Sequence, residues 1–329
     1  MDKRRLVGIV LVLVSAAGFG LGTILAAPIY DTGVDWLTLL VWRFGIGAAL
    51  AWSWVLLSPA RRAAVRRLSR RQVTVAVGLG ALYTGNAGTY YAGLETVPAA
   101  LAGVLVYTYP VTVAVLSLWF ASRLAGRRPW FALVLAVAGI VLALGGIPTD
   151  AVPPIAGLAL VMTSPLIYSA WIILSARLSG ERRDRLGHAA REEESVAGDA
   201  AATTALMIAA TAGVFAIGAV VTGRSLDPTT VPPSAWPLLA ALAFVSSFLA
   251  IQTFYGGARR IGAAQAALVS TVEPVYIVVL AAVFLDQRLA PLQLVGAGLV
   301  LVGVVIAQTA PRPDEAAEPA TPLDAEAAR

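Results

Sequence analysis

The sequence predicts an all-α integral membrane protein of ten transmembrane helices arranged as a 5+5 inverted-topology repeat. Three observations carry this expectation. Of 329 residues, 58% are hydrophobic and 13% charged, against about 45–50% and about 25% in a soluble domain. The apolar residues gather into ten runs, each long enough for the roughly 20-residue helix that crosses about 30 Å of hydrocarbon. Finally, part of the first five runs aligns without a gap on part of the second five.

The runs are taken in order. Leu6 to Ala27 follows the basic start Met1-Asp2-Lys3-Arg4-Arg5; it is long for a signal peptide, and nine more spans follow. Trp36 to Leu57, Val73 to Leu94, Val97 to Phe120 and Pro129 to Ile147 complete the first five. Ile155 to Ser175, Ala201 to Thr222, Trp236 to Ala258, Ile261 to Leu285 and Pro291 to Gln308 form the second. None alternates in polarity as a barrel strand does. Residues 1–150 thus hold the first repeat and 151–310 the second. The mixed-charge loop 176–199 and the Pro, Ala and Glu-rich tail 311–329 read as solvated segments with little fixed structure.

Charge orients the chain. Of 24 Lys and Arg residues, 21 lie on the side of the N-terminus, among them Arg61, Arg62, Arg66, Arg67, Arg70 and Arg71 in one loop. Arg224 and Arg288 lie on the other side, and Arg43 lies within a span. The positive-inside rule places both termini in the cytoplasm, with the chain in the cytoplasmic membrane. The pI near 9.8 therefore reflects orientation rather than nucleic-acid binding. Expected partners are the bilayer, a small-molecule solute and, as an open option, a second copy in a homodimer.

A shift of 164 residues superposes Tyr91-Ala92-Gly93 on Tyr255-Gly256-Gly257, Ala99-Ala100 on Ala263-Ala264, and Pro110-Val111 on Pro274-Val275. Five spans per copy, an odd number, invert the second copy. Such repeats mark secondary transporters, whose binding site lies at the repeat interface near the midplane.

The order Arg43-Phe44, Tyr91-Ala92-Gly93-Leu94, Ala99-Ala100, Glu273-Pro274-Val275, then Asp286-Gln287-Arg288-Leu289 with Pro291 and Gly296, resembles the EamA family of the drug/metabolite transporter superfamily. The resemblance implies a 5+5 carrier that exports or exchanges amino acids, other metabolites or drugs. Where that family usually has glutamate, this chain has Asp286, and Ser122 in the first copy, which points to a structural role there.

Glu273 is the sharpest candidate, because a charge inside a span is expensive unless partnered or facing water. It reads either as a proton-coupling carboxyl or as a protonated structural hydrogen-bonding group. Arg43 needs a buried partner, for which Glu273, a substrate carboxylate and backbone carbonyls are candidates; a fixed structural pairing is the favoured reading. Pro110, Pro165 and Pro274 stand in mid-span, and each frees the carbonyl four residues earlier. Tyr83, Asn86 and Tyr90 share one helix face, and Ser164, Tyr168, Trp171 and Ser175 another. With Tyr107, Gln252, Ser270 and Tyr276 they are candidate lining for an amphiphilic chamber, or else glue between helices. The only histidine, His188, reads as a surface residue, and cysteine is absent. Thiolate metal sites, paired-histidine sites and cysteine nucleophiles are thereby excluded, and no Walker or nucleophile motif is present. No cofactor and no metal are expected. The function class is a secondary-active transporter, the alternatives being a channel or lipid-handling scaffold and, further off, an intramembrane enzyme.

Overall fold

The structure is a computed structural model that describes residues 3–109, 111–113, 116, 128–145, 152–178, 193–261, 266 and 269–308. Among them every regular element is helical. The first half holds α1 (Lys3–Ile24), α2 (Ala26–Tyr30), α3 (Trp36–Leu56), α4 (Pro59–Arg67), α5 (Arg70–Leu94), α6 (Ala99–Val106) and α7 (Arg128–Gly145). The second holds α8 (Ile155–Leu178), α9 (Glu193–Val221), α10 (Ala235–Leu242), a π-helical segment (Ala243–Leu249), α11 (Ala250–Ile261), α12 (Glu273–Phe284) and α13 (Pro291–Gln308).

Five helical stretches are long and apolar enough to cross a membrane: Lys3–Tyr30, Trp36–Leu56, Ile155–Leu174, Ala201–Val221 and Ala235–Phe254. Four shorter apolar helices lie at Ala99–Val113, Trp130–Ala143, Glu273–Phe284 and Pro291–Ile306. The 25-residue α5 is long enough but less apolar, because it carries Tyr83, Thr84, Asn86, Thr89, Tyr90 and Tyr91. Large apolar side chains such as Val141, Ile217, Val283 and Phe284 face outward, while Ser15, Arg43, Asn86, Ser164, Ser246 and Ser247 are buried. This is the polarity of a molecule solvated by lipid.

Helix pairing has an internal regularity. α1 packs on α11 and α12, as α8 packs on α5 and α6; α3 packs on the π-helical segment as α9 packs on α5. α3 pairs with α9, α6 with α12, and α7 with α13. Exchanging each helix for its counterpart in the other half therefore returns the same pairs. Small residues allow the approach. A Cβ on Gly93 would meet Val161 at 2.5 Å and the Gly157 carbonyl at 3.0 Å; one on Gly257 would meet Val12 at 2.5 Å and the Gly8 carbonyl at 2.8 Å. A Cβ on Gly139 would meet the Gly296 carbonyl at 2.6 Å, and one on Gly303 the Ala132 carbonyl at 2.8 Å.

Four expectations need correction. Helix does not run unbroken through the fourth and ninth apolar runs. It is interrupted by turns at residues 107–108 and 271–272, positions that correspond under the 164-residue shift. At the second break Pro274, two or three residues on, has no N–H to give to the Ser270 carbonyl. Second, α4 is a helix within what reads as a cytoplasmic connection, with Pro59 at its start. Third, α8 extends to Leu178 and α9 begins at Glu193, so both ends of the 176–199 segment are helical. Fourth, the run from Trp236 is π-helical over Ala243–Leu249. Pro110, His188 and the 311–329 tail lie outside the described residues.

The connections between α2 and α3 and between α9 and α10 meet at an ion pair. Asp35 caps α3, accepting from the N–H groups of Leu37 at 2.9 Å and Thr38 at 3.1 Å, and takes a hydrogen bond from Arg224 Nε at 2.9 Å. Burial acts to raise the Asp35 carboxyl, but the hydrogen bonds from Arg224, Thr38 and Leu37 outweigh it and hold it below its ordinary range. With a depressed folded value, the stabilisation is complete above about pH 4 and is lost as pH falls through that value. Since the pair is more than a third exposed, the cap supplies most of the effect. Asp35→Ala is expected to cost about 1 kcal/mol at pH 7 and somewhat less at pH 3, while Asp35→Asn keeps most of the cap. Thermal unfolding in detergent at both pH values tests this, and equal losses would exclude a role for ionisation.

Candidate functional site

The breaks at 107–108 and 271–272 bring the two halves together at one point. A proline at 274 frees the Ser270 carbonyl, and the Tyr107 hydroxyl donates to that carbonyl at 2.6 Å. The same hydroxyl also donates to Glu273 Oε2 at 3.2 Å. Glu273 is half-buried and stands at the first position of α12 rather than in mid-helix. One hydroxyl proton thus serves two acceptors, so a full bond to the carbonyl leaves the carboxyl to supply its own proton.

From Tyr107 an aromatic path runs across the bundle. Tyr107 meets Tyr109 edge-on at 5.5 Å, and Tyr109 meets Tyr168 at 4.8 Å. Tyr168 stacks on Trp171 at 5.7 Å, and both meet Tyr83, at 6.4 and 5.8 Å. Tyr83 meets Phe44 at 6.2 Å, and Phe44 stacks on Phe215 at 5.5 Å. Helical spacing places Tyr83 on α5 and Tyr168 and Trp171 on α8 so that they face each other. Asn86 sits one turn on and accepts from Ser164 Oγ at 2.7 Å, while Trp171 Nε1 donates to the Leu79 carbonyl at 2.9 Å.

At the far end of the path Arg43 is buried, its guanidinium 5.0 Å from the Phe44 ring centre and 4.7 Å from that of Tyr91. Its hydrogen-bond partners were not among the sequence candidates. Nε donates to Ser247 Oγ at 3.0 Å and Nη2 to Ser246 Oγ at 2.8 Å. Both serines lie in the π-helical segment, whose extra residue per turn aims adjacent side chains at one partner. Gly22 on α1 makes room, since a Cβ there would lie 2.5 Å from Ser246 Oγ.

Other candidates fall elsewhere. Tyr90 pairs with Thr23 at 3.2 Å, and its ring meets Tyr91. Tyr276 lies against Gly20 on α1, and Gln252 is half-buried with no hydrogen bond to the residues of the path. Pro165 lies inside α8, where the carbonyl of that residue accepts from Ser169. A cleft of about 220 Å³ beside Tyr107 and Pro274, bounded by Val104, Val278 and Leu301, is apolar and shares only Tyr107 with the path. Asp286 follows α12 with φ of 52° and lies 3.7 Å from Arg288, both exposed; aspartate tolerates that left-handed backbone better than longer acids do. Sequence reasoning missed Tyr109, Phe215, Ser246 and Ser247 as participants. The signal for the serines was two adjacent hydroxyls in an apolar run.

The EamA-like transporter family model matches residues 6–145 and 194–309, most of the chain. The uncharacterized transporter YcbK of Bacillus subtilis (strain 168) is 25% identical over 213 residues, which is 63% of each protein. The alignment therefore spans less than two thirds of that relative. A solved crystal structure, at 19% identity and a TM-score of 0.59 over 93% of this chain and 96% of the other, has the same fold. Apolar helices and these matches define a multi-pass membrane protein of the transporter class. The chain belongs to the EamA-like transporter family of the drug/metabolite transporter superfamily.

Ser246→Ala combined with Ser247→Ala strips Arg43 of two charged-group hydrogen bonds, each worth about 1.5–3 kcal/mol. A clear fall in unfolding temperature in detergent is expected, partly recovered when Arg43→Met removes the stranded charge. Additive losses in that cycle would deny the coupling.

Proposed function

We propose that this chain is a secondary-active carrier that exports or exchanges small organic solutes across the cytoplasmic membrane by alternating access. The observation that carries the reading is the junction at which two equivalently broken helices meet. Discontinuous helices at a repeat interface place free carbonyls and helix ends where a solute can bind. Here Tyr107, the Ser270 carbonyl and Glu273 form that meeting point. The aromatic path from Tyr109 to Phe44 offers faces for the apolar or cationic part of a solute. Its polar neighbours Asn86 and Ser164 supply hydrogen bonds.

The regular helix pairing supports two five-helix units, residues 1–150 and 151–310. Five long apolar helices, four shorter ones and the polar α5 support ten spans, with both termini cytoplasmic by the arginine bias. Rocking one unit against the other exposes the junction to each side in turn. Proton coupling follows from the chemistry of the junction. A protonated Glu273 leaves Tyr107 free to hold Ser270, and an ionised one draws the hydroxyl proton to itself, so proton occupancy shifts the bond that joins the two halves.

Three measurements test this. Cysteine introduced at Ser69 is expected to be shielded from an impermeant thiol reagent in intact cells, and cysteine at Asp227 to be labelled; external labelling at 69 would overturn the orientation. In proteoliposomes, solute counterflow accelerated by solute on the opposite side separates a carrier from a channel. Glu273→Gln keeps shape and hydrogen bonding but cannot titrate, so it is expected to abolish accumulation driven by a pH gradient while sparing exchange. Wild-type pH dependence in that variant would exclude coupling through Glu273.

A further inference from the structure

Arg43 is only 5% exposed, and among the described residues no carboxylate lies within ion-pair distance of it. Acidic groups on the surrounding elements are engaged elsewhere: Asp35 with Arg224, Glu95 with the Trp36 N–H at 2.7 Å, and Glu273 with Tyr107. A cation held away from water with neutral partners only is costly. Its donor pattern shows where a counter-charge fits.

Arginine has five N–H donors in a rigid plane. Ser247 and Ser246 take the Nε–H and one N–H of Nη2, which together form the side edge of the plane. The guanidinium carbon lies over the rings of Tyr91 and Phe44. The end edge, formed by Nη1 and the second N–H of Nη2, has no acceptor among the described residues. That edge presents two parallel N–H groups at the spacing of a carboxylate's oxygens. Phe44 is also a member of the aromatic path that leads through Tyr83 and Tyr109 to Tyr107, which bonds Glu273.

We propose that the end edge of Arg43 is the subsite for a carboxylate, so that the chain binds carboxylate-bearing solutes whose apolar or aromatic body lies along the path from Phe44. As a statement about the carried solute this rests on the carrier reading. The serines and rings hold the guanidinium in place; the solute supplies the charge that none of the described residues brings to it.

The test uses the full chain and matched probes: phenylacetate against phenylacetamide, hexanoate against hexanamide, and sodium chloride alone. Unfolding temperature in detergent is measured against probe concentration. Each acid is expected to stabilise the wild type and its amide not. Arg43→Lys keeps the charge but loses the planar fork, and is expected to need at least about tenfold more acid for half the effect, a loss of about 1.4 kcal/mol. The acid–amide comparison in the wild type stands even where that variant does not fold. Equal stabilisation by acid and amide, or full stabilisation by chloride alone, would overturn the subsite. Counterflow in proteoliposomes with the same probes and with phenethylamine separates the two readings. Counterflow of amide or amine probes but not of the acids would leave the carrier and remove the subsite. Acid-specific binding without counterflow of any probe would leave the subsite and remove the carrier.

Discussion

In hydrocarbon every backbone polar group needs a partner within the protein, and the centre of this bundle depends on that constraint. Two helices that break in mid-bundle expose carbonyls that would stay paired in continuous helix. At Ser270 the cost is met across the molecule, by the hydroxyl of Tyr107 at the equivalent break in the other half. One bond therefore satisfies the backbone of one half and fixes the position of the other. Glu273 shares the hydroxyl, so the bond that joins the halves has a carboxyl beside it.

Close approach elsewhere relies on residues without side chains. The Gly93 contact with α8 and the Gly257 contact with α1 are counterparts, as are those of Gly139 with α13 and Gly303 with α7. Lipid gives little hydrophobic incentive for helices to associate, so van der Waals contact at short range and interhelical hydrogen bonds must supply it. Ser15 to the Ala250 carbonyl and Thr211 to the Gly80 carbonyl are such bonds, at 2.7 and 2.8 Å, and each joins one half to the other.

The polar interior is asymmetric although the packing is regular. Arg43 and Glu273 stand at opposite ends of the aromatic path, and the 164-residue shift places Tyr109, not a second acid, against Glu273. Paired backbone scaffolds thus carry unlike chemistry, with charge at the two ends and aromatic faces between.

Much of this was written in the sequence. Apolar run lengths, arginine bias and the gapless repeat follow from one-dimensional regularities, because bilayer thickness and duplication impose periods that a chain displays without folding. The face shared by Tyr83 and Asn86, and the opposing one of Tyr168 and Trp171, were legible for the same reason: 3.6-residue spacing fixes which side chains lie together on one helix. Which helix each face meets was not legible. Nothing local ties Arg43 to Ser246 and Ser247 some 200 positions away, and the π-helical turn that aims both hydroxyls at it packs against α1 and α3. Nor does proline alone distinguish a kink from a full break. Pro165 stays inside α8, while Pro274 follows a turn that the Tyr107 bond supports. Tertiary structure decided those points because the cost of a freed backbone group, or of a buried charge, depends on what another helix brings to it.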